Sequence, residues 1–120
     1  MSFTKLIAWQ KSHELTLAVL KMCESLPKYD FIRNQLERAT LSITSNIAEG
    51  FGRQTTGDKK HFYVIAHGSA YEVQNQLLVA RDTDKISNED FQKLAVQSLD
   101  SLRLLHGLIR SLERSKNTSF

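Results

Sequence analysis

Apolar residues recur every three or four positions along most of this 120-residue chain, and a single proline, Pro27, interrupts them. Side chains three and four apart share one helix face, so this spacing predicts helices that each have a stripe to bury. No segment alternates polar and apolar for long enough to suggest a strand. Four helices are expected, at about 8–25, 31–53, 57–83 and 88–114. In the first, Leu15, Ala18, Met22 and Leu26 form the stripe, and Pro27 closes it because the residue before a proline leaves the α region. Ile32, Leu36, Ala39, Ile43 and Ile47 form the second stripe, with Asp30 as N-cap and Gly50 and Gly52 as a left-handed end. The third is a heptad-like seam of Phe62, Ala66, Ser69, Val73, Gln76 and Ala80, with Thr56 or Asp58 as the cap. The fourth begins at Ser87 with Asp90 three residues on, a short-armed capping box, and carries Phe91, Leu94, Ser98, Leu102, Leu105, Ile109 and Leu112. The polar tail, Ser115–Phe120, is expected to fray. Short connections between such helices predict an all-α, up-down-up-down antiparallel four-helix bundle, one domain over residues 1–120.

The stretch "SITSNIAEGFGR" (residues 42–53) contains two glycines and several polar groups, a combination that can signal a phosphate loop. A phosphate loop needs a preceding strand and a closing Gly-Lys-Ser/Thr, and this segment has neither. Helical spacing instead places Gln35, Arg38, Ser42, Asn46, Glu49 and Arg53 in one line on the flank of the second helix. This line is expected to form a structural polar network between helices or subunits, in which Arg38, Glu49 and Arg53 pair with each other or with Glu72 of the third helix. A ligand or RNA contact is the alternative use of the same stripe, and an enzyme site between subunits is a further one.

The chain carries 16 Lys/Arg and 13 Asp/Glu, and all of the surplus lies in its first half. Lys5, Lys11, Lys21, Lys28, Arg33, Lys59 and Lys60 are the candidate contacts to an acidic partner such as RNA or DNA. On the third helix, Tyr63, His67, Tyr71, Gln74, Leu78 and Arg81 are expected to share a face opposite the buried seam. Tyrosine and arginine there suit a subunit contact, and the same groups can stack on bases. Of the four histidines, none is paired with another at a metal-binding spacing. The single cysteine, Cys23, allows neither an intrachain disulfide nor an ordinary zinc site. No metal, cofactor or catalytic residue is therefore expected. With no signal-peptide pattern and no apolar run of membrane-spanning length, a cytoplasmic protein is expected.

Three segments together resemble a known family. "RATLSITSNIAEGFGR" (38–53), "LIAWQKSHEL" (6–15) and "FYVIAHGSAYEVQNQLLVARD" (62–82) are similar to motifs of the four-helix-bundle proteins encoded in intervening sequences of bacterial 23S ribosomal RNA genes. The accessory protein of diversity-generating retroelements is similar to the same family. The resemblance implies a ring-like homopentamer and no known enzymatic activity. For the retroelement protein it further implies binding of a reverse transcriptase and of nucleic acid through a basic surface. The resulting expectation is a non-enzymatic oligomeric scaffold or accessory protein that binds nucleic acid through a basic surface. The alternative is a protein–protein interaction adaptor without nucleic-acid binding.

Overall fold

A computed structural model describes residues 1–118 and contains a one-turn 3-10 helix, Phe3–Lys5, followed by four α-helices. They are α1 (Ile7–Cys23), α2 (Phe31–Phe51), α3 (Thr56–Asp82) and α4 (Asn88–Thr118). The fourth helix passes its expected end at residue 114, while what was expected of residues 119–120 lies outside the described residues. The helices form a ring in which α1 and α3 each pack against both α2 and α4. A body of 53 × 22 × 20 Å accommodates helices of 17–31 residues only if each connection reverses direction, because an α-helix rises about 1.5 Å per residue. The result is an all-α four-helix bundle, as the periodicity predicts.

Local chemistry fixes the helix ends. The Asp30 carboxylate caps α2 by accepting from the Arg33 N–H at 3.0 Å, and it also pairs with Lys85. That ion pair ties the α1–α2 connection to the α3–α4 connection. Thr55, rather than Thr56 or Asp58, caps α3 by accepting from the Asp58 N–H. Ser87 caps α4 through the Asp90 N–H at 3.1 Å. Helix α3 ends in a Schellman motif, with the Lys85 N–H bonded to the Ala80 carbonyl at 2.8 Å and the Asp84 N–H to that of Arg81 at 3.0 Å. Asp84 occupies the left-handed position, φ 58°, where glycine is usual. The expected left-handed glycine end of α2 is corrected: Gly52 has φ −76°, and Gly50 is still inside the helix.

The core is mostly aliphatic, with Leu15, Val19, Leu36, Ile43, Ile47, Val73, Leu77 and Leu105 fully enclosed. Two expected stripes are rotated. In α1 the buried line is Ala8, Ser12, Leu15, Val19 and Cys23, while Ala18 and Met22 lie at its margin. In α3 the buried line is Tyr63, Ala66, Ala70, Val73, Leu77 and Ala80, so Tyr63 and Leu77 occupy the places expected for Phe62 and Gln76. Burial pushes the Cys23 thiol up to about 11, with Glu37 adding to the shift. A thiol held so far above neutrality stays protonated and unreactive.

Small hydroxyl pairs cross three of the four helix seams. Ser12 and Ser101 share a 2.7 Å hydrogen bond between α1 and α4. Thr40 donates to the Thr16 hydroxyl at 3.1 Å between α2 and α1. Ser42 and Ser69 share a 2.8 Å bond between α2 and α3. A buried hydroxyl without a partner costs about 1–3 kcal/mol, so these pairs penalise any slip of one helix along another.

Candidate functional site

The polar flank of α2 lies along the α2–α3 seam and divides into two parts. At its middle, the Asn46 amide donates to the Ser42 carbonyl at 2.8 Å and to the Ser42 hydroxyl at 3.0 Å, which completes the Ser42–Ser69 bridge. Toward the C-terminal end, Arg53 pairs with Glu49 and lays its guanidinium 4.6 Å from the centre of the Phe62 ring. Gln35 is half-buried, and Arg38 and Glu72 are exposed. Among the described residues neither Arg38 nor Glu72 forms an ion pair within the chain. The stripe is thus a network at its centre and a solvated edge at its ends. Its half-buried centre follows from the small side chains, which let α2 and α3 approach and leave the seam shallow.

Gly50 explains part of that approach. A methyl group at this position would stand 2.7 and 2.9 Å from two carbons of the Tyr63 ring and 3.1 Å from the Lys59 carbonyl. The glycine is therefore a packing requirement for Tyr63, and the two-glycine stretch is the end of a helix.

The third-helix face divides as well. Tyr63 is 2% exposed and belongs to the core, so its expected place on the outer face is corrected. Arg81 packs over Phe91 at 4.6 Å and bonds to Asp82, which directs it within the chain. His67, Tyr71, Gln74 and Leu78 border the outer α3–α4 seam. There they meet residues of α4 that sequence reasoning did not assign to a site: Leu99, Arg103 and His106. The His67 ring is edge-on to Tyr71 at 5.1 Å and 6.1 Å from the ring of His106. Burial, with a contribution from His106, holds the His67 imidazole below its ordinary range.

The candidate cations do not converge. Lys11 pairs with Glu14, Arg33 with Glu37, and Lys60 with Glu113. Arg33 also donates to the Leu26 carbonyl, and Lys59 donates to that of Phe51 at 2.7 Å. These four hold local structure together. Lys5, Lys21 and Lys28 form no ion pair among the described residues. Lys21 lines a groove of about 440 Å³ between α1 and α4, together with Met22, Asp90 and Lys93. Among the described residues no group of three or more His, Cys, Asp or Glu is placed to hold a metal ion, and no helix is long and apolar enough to cross a membrane.

Comparison with known proteins places this architecture. The chain is similar to a crystal structure from Bacteroides thetaiotaomicron, described as a protein with unknown function from the S23 ribosomal protein family. The two superpose with a TM-score of 0.81 at 24% identity, over 86% of this chain and 98% of the other. At that identity the likeness establishes the fold. A search of curated proteins finds no match. The family model described as 23S rRNA-intervening sequence protein matches residues 4–107, most of the bundle and all of the polar flank. The chain belongs to the 23S rRNA-intervening sequence protein family.

Proposed function

We propose that this protein is a non-enzymatic scaffold that works as a homo-oligomer, a ring of five copies by resemblance, and that the outer α2–α3 face contacts the next copy. The observation that carries this reading is the surroundings of Gly68. It sits in the middle of α3, where glycine costs about 1 kcal/mol relative to alanine, yet a methyl group there would meet nothing within 4 Å. No packing within the chain accounts for it, in contrast to Gly50. On the same line of α3 lie Ile65, 39% exposed, Glu72, and Val79, 37% exposed. A bare helix surface edged by exposed apolar groups suits close approach by another helix. Arg38 and Glu72, which form no ion pair among the described residues, supply opposite charges for such a contact.

Gly68→Leu tests this directly. Within one chain the substitution raises helix stability by about 0.5–1 kcal/mol. At a subunit contact it is a wedge. Light scattering is expected to show the parent as a multiple of the 13.7 kDa chain and the variant at lower mass with an unchanged or higher melting temperature. A variant that keeps the parent's mass removes this face from the assembly. Nucleic-acid binding is the further use of such a ring, with Lys5, Lys21 and Lys28 repeated in every copy. Anisotropy with RNA and DNA across a salt series measures it: each phosphate neutralised adds about 0.7–0.9 to the log–log slope. The adaptor alternative predicts no binding at moderate salt.

A further inference from the structure

The α3–α4 groove has a composition that neither the family match nor the assembly proposal uses. Its walls are His67, Tyr71 and Gln74 from α3, and Leu99, Arg103 and His106 from α4, with the buried Leu102 as floor. Three of these residues can carry positive charge, and no carboxylate is among the lining residues. Glu113, which interacts with His106, is already held by Lys60 at 2.9 Å. Arg110 adds a further cation near the same end of the groove. The lining of the groove is therefore cationic, with Asp100 one helical turn from Arg103 but outside the lining.

The polar groups are also arranged for a particular ligand shape. Arg103 offers a planar fork of N–H donors, the geometry that suits a phosphate bidentately. The two imidazoles, 6.1 Å apart, are spaced to donate to different oxygens of one such group. Tyr71 is 57% exposed, with its ring at 87° to that of His67, so the phenol keeps a solvent-facing surface for stacking. Gln74 and the leucines provide an amide and an apolar floor beside it. At about 340 Å³ the groove lies at the small end of ligand sites, which span roughly 300–1,000 Å³.

We propose that the α3–α4 groove binds a nucleotide, with Arg103, His67 and His106 holding the phosphate and Tyr71 stacking on the base. The shared chemistry is a phosphate ester joined to a flat heteroaromatic ring, supplied either by a free mononucleotide or by an unpaired nucleotide of a single-stranded nucleic acid. Tyr71 lies one helical turn from Gly68, so molecular mass is followed alongside binding to separate occupancy of the groove from the assembly contact proposed above. Binding of the anion favours charged imidazoles, so it takes up protons and tightens as the pH falls from 8 to 6.

Nuclear magnetic resonance titration of the full chain with adenosine 5′-monophosphate tests this, with molecular mass measured on the same sample. Saturable shifts are expected at His67, Tyr71, Arg103 and His106, and the His67 imidazole should titrate at higher pH with ligand present. Inorganic phosphate and adenosine are each expected to bind at least tenfold more weakly. Arg103→Gln and Tyr71→Ala are each expected to weaken binding at least tenfold, with circular dichroism unchanged. Competition by a short single-stranded RNA at the same residues assigns the groove to nucleic acid, and its absence assigns the groove to the free nucleotide. The proposal is overturned if the monophosphate shifts nothing in the groove, or if both variants bind like the parent. Phosphate binding as tightly as the nucleotide also overturns it, because the aromatic half would then contribute nothing.

Discussion

Tyr63 and Tyr71 stand eight residues apart on one helix, yet the first is 2% exposed and the second 57%. The difference comes from the neighbours that each flank of α3 meets. Toward α2 the facing residues are small: Gly50 under the Tyr63 ring, and Ser42 bonded to Ser69. Small residues let the helices approach and enclose the ring. Toward α4 the facing residues are long, Leu99, Arg103 and His106, and they hold the seam open as a groove. One flank of α3 is thus committed to the fold, while the other keeps aromatic and cationic groups at the surface.

Truncating the two tyrosines gives the strongest test of this contrast. Tyr63→Ala is expected to cost about 3–5 kcal/mol, the range for removing a buried aromatic side chain. Tyr71→Ala should remain within about 0.5 kcal/mol of the parent, as surface changes usually do. Chemical denaturation of both variants checks the pair, and comparable losses would break the distinction between the flanks.

Closing pressure on the α2 side is probed by Gly50→Ala. Overpacking against Tyr63 and the Lys59 carbonyl costs about 1–3 kcal/mol, offset by up to about 1 kcal/mol of helix propensity. A net loss of about 1–2 kcal/mol is expected in the same denaturation measurement. A gain would mean that the tyrosine ring moves aside freely. Ser69→Ala is expected to cost about 1 kcal/mol by leaving Ser42 with one partner fewer. Its melting curve should show the loss without a change in cooperativity.

The smallest effect belongs to the open flank. His67 titrates below its ordinary value in the folded chain, so the unfolded chain binds more protons just below pH ~6.5. Stability from this group is complete above that pH and declines as the pH falls toward the folded value. The parent is expected to lose more melting temperature between pH 7.5 and 5.5 than His67→Gln does. Equal losses would remove His67 as a source of that pH dependence.

The candidate sites were legible to different degrees. The polar line from Gln35 to Arg53 was visible because α2 has one narrow apolar arc, which leaves the phase of the helix unambiguous. Its pairing was not visible, since whether Arg53 reaches Glu49 or Glu72 depends on where α3 lies. The groove was half visible: His67, Tyr71 and Leu78 stand out on α3, but Leu99, Arg103 and His106 are separated from them by 21 to 39 residues of chain. The candidate cations show the reverse case. Composition drew attention to Arg33, Lys59 and Lys60, whereas backbone carbonyls and an acid from α4 occupy them.

The sequence by itself determined four helices, their approximate ends and the bundle they form, because helical periodicity, capping residues and Pro27 act over a few neighbouring residues. It also determined the core faces of α2 and α4, where the longest regular apolar stripe is the one that turns inward. Tertiary structure alone decided the faces of α1 and α3. Both carry apolar residues on more than one side, so Val19 rather than Ala18, and Tyr63 rather than Phe62, turns inward only when a neighbouring helix leaves room for it. It also decided that Gly50 answers to packing and that Gly68 has no such reason within the chain, a distinction set by atoms far away in sequence.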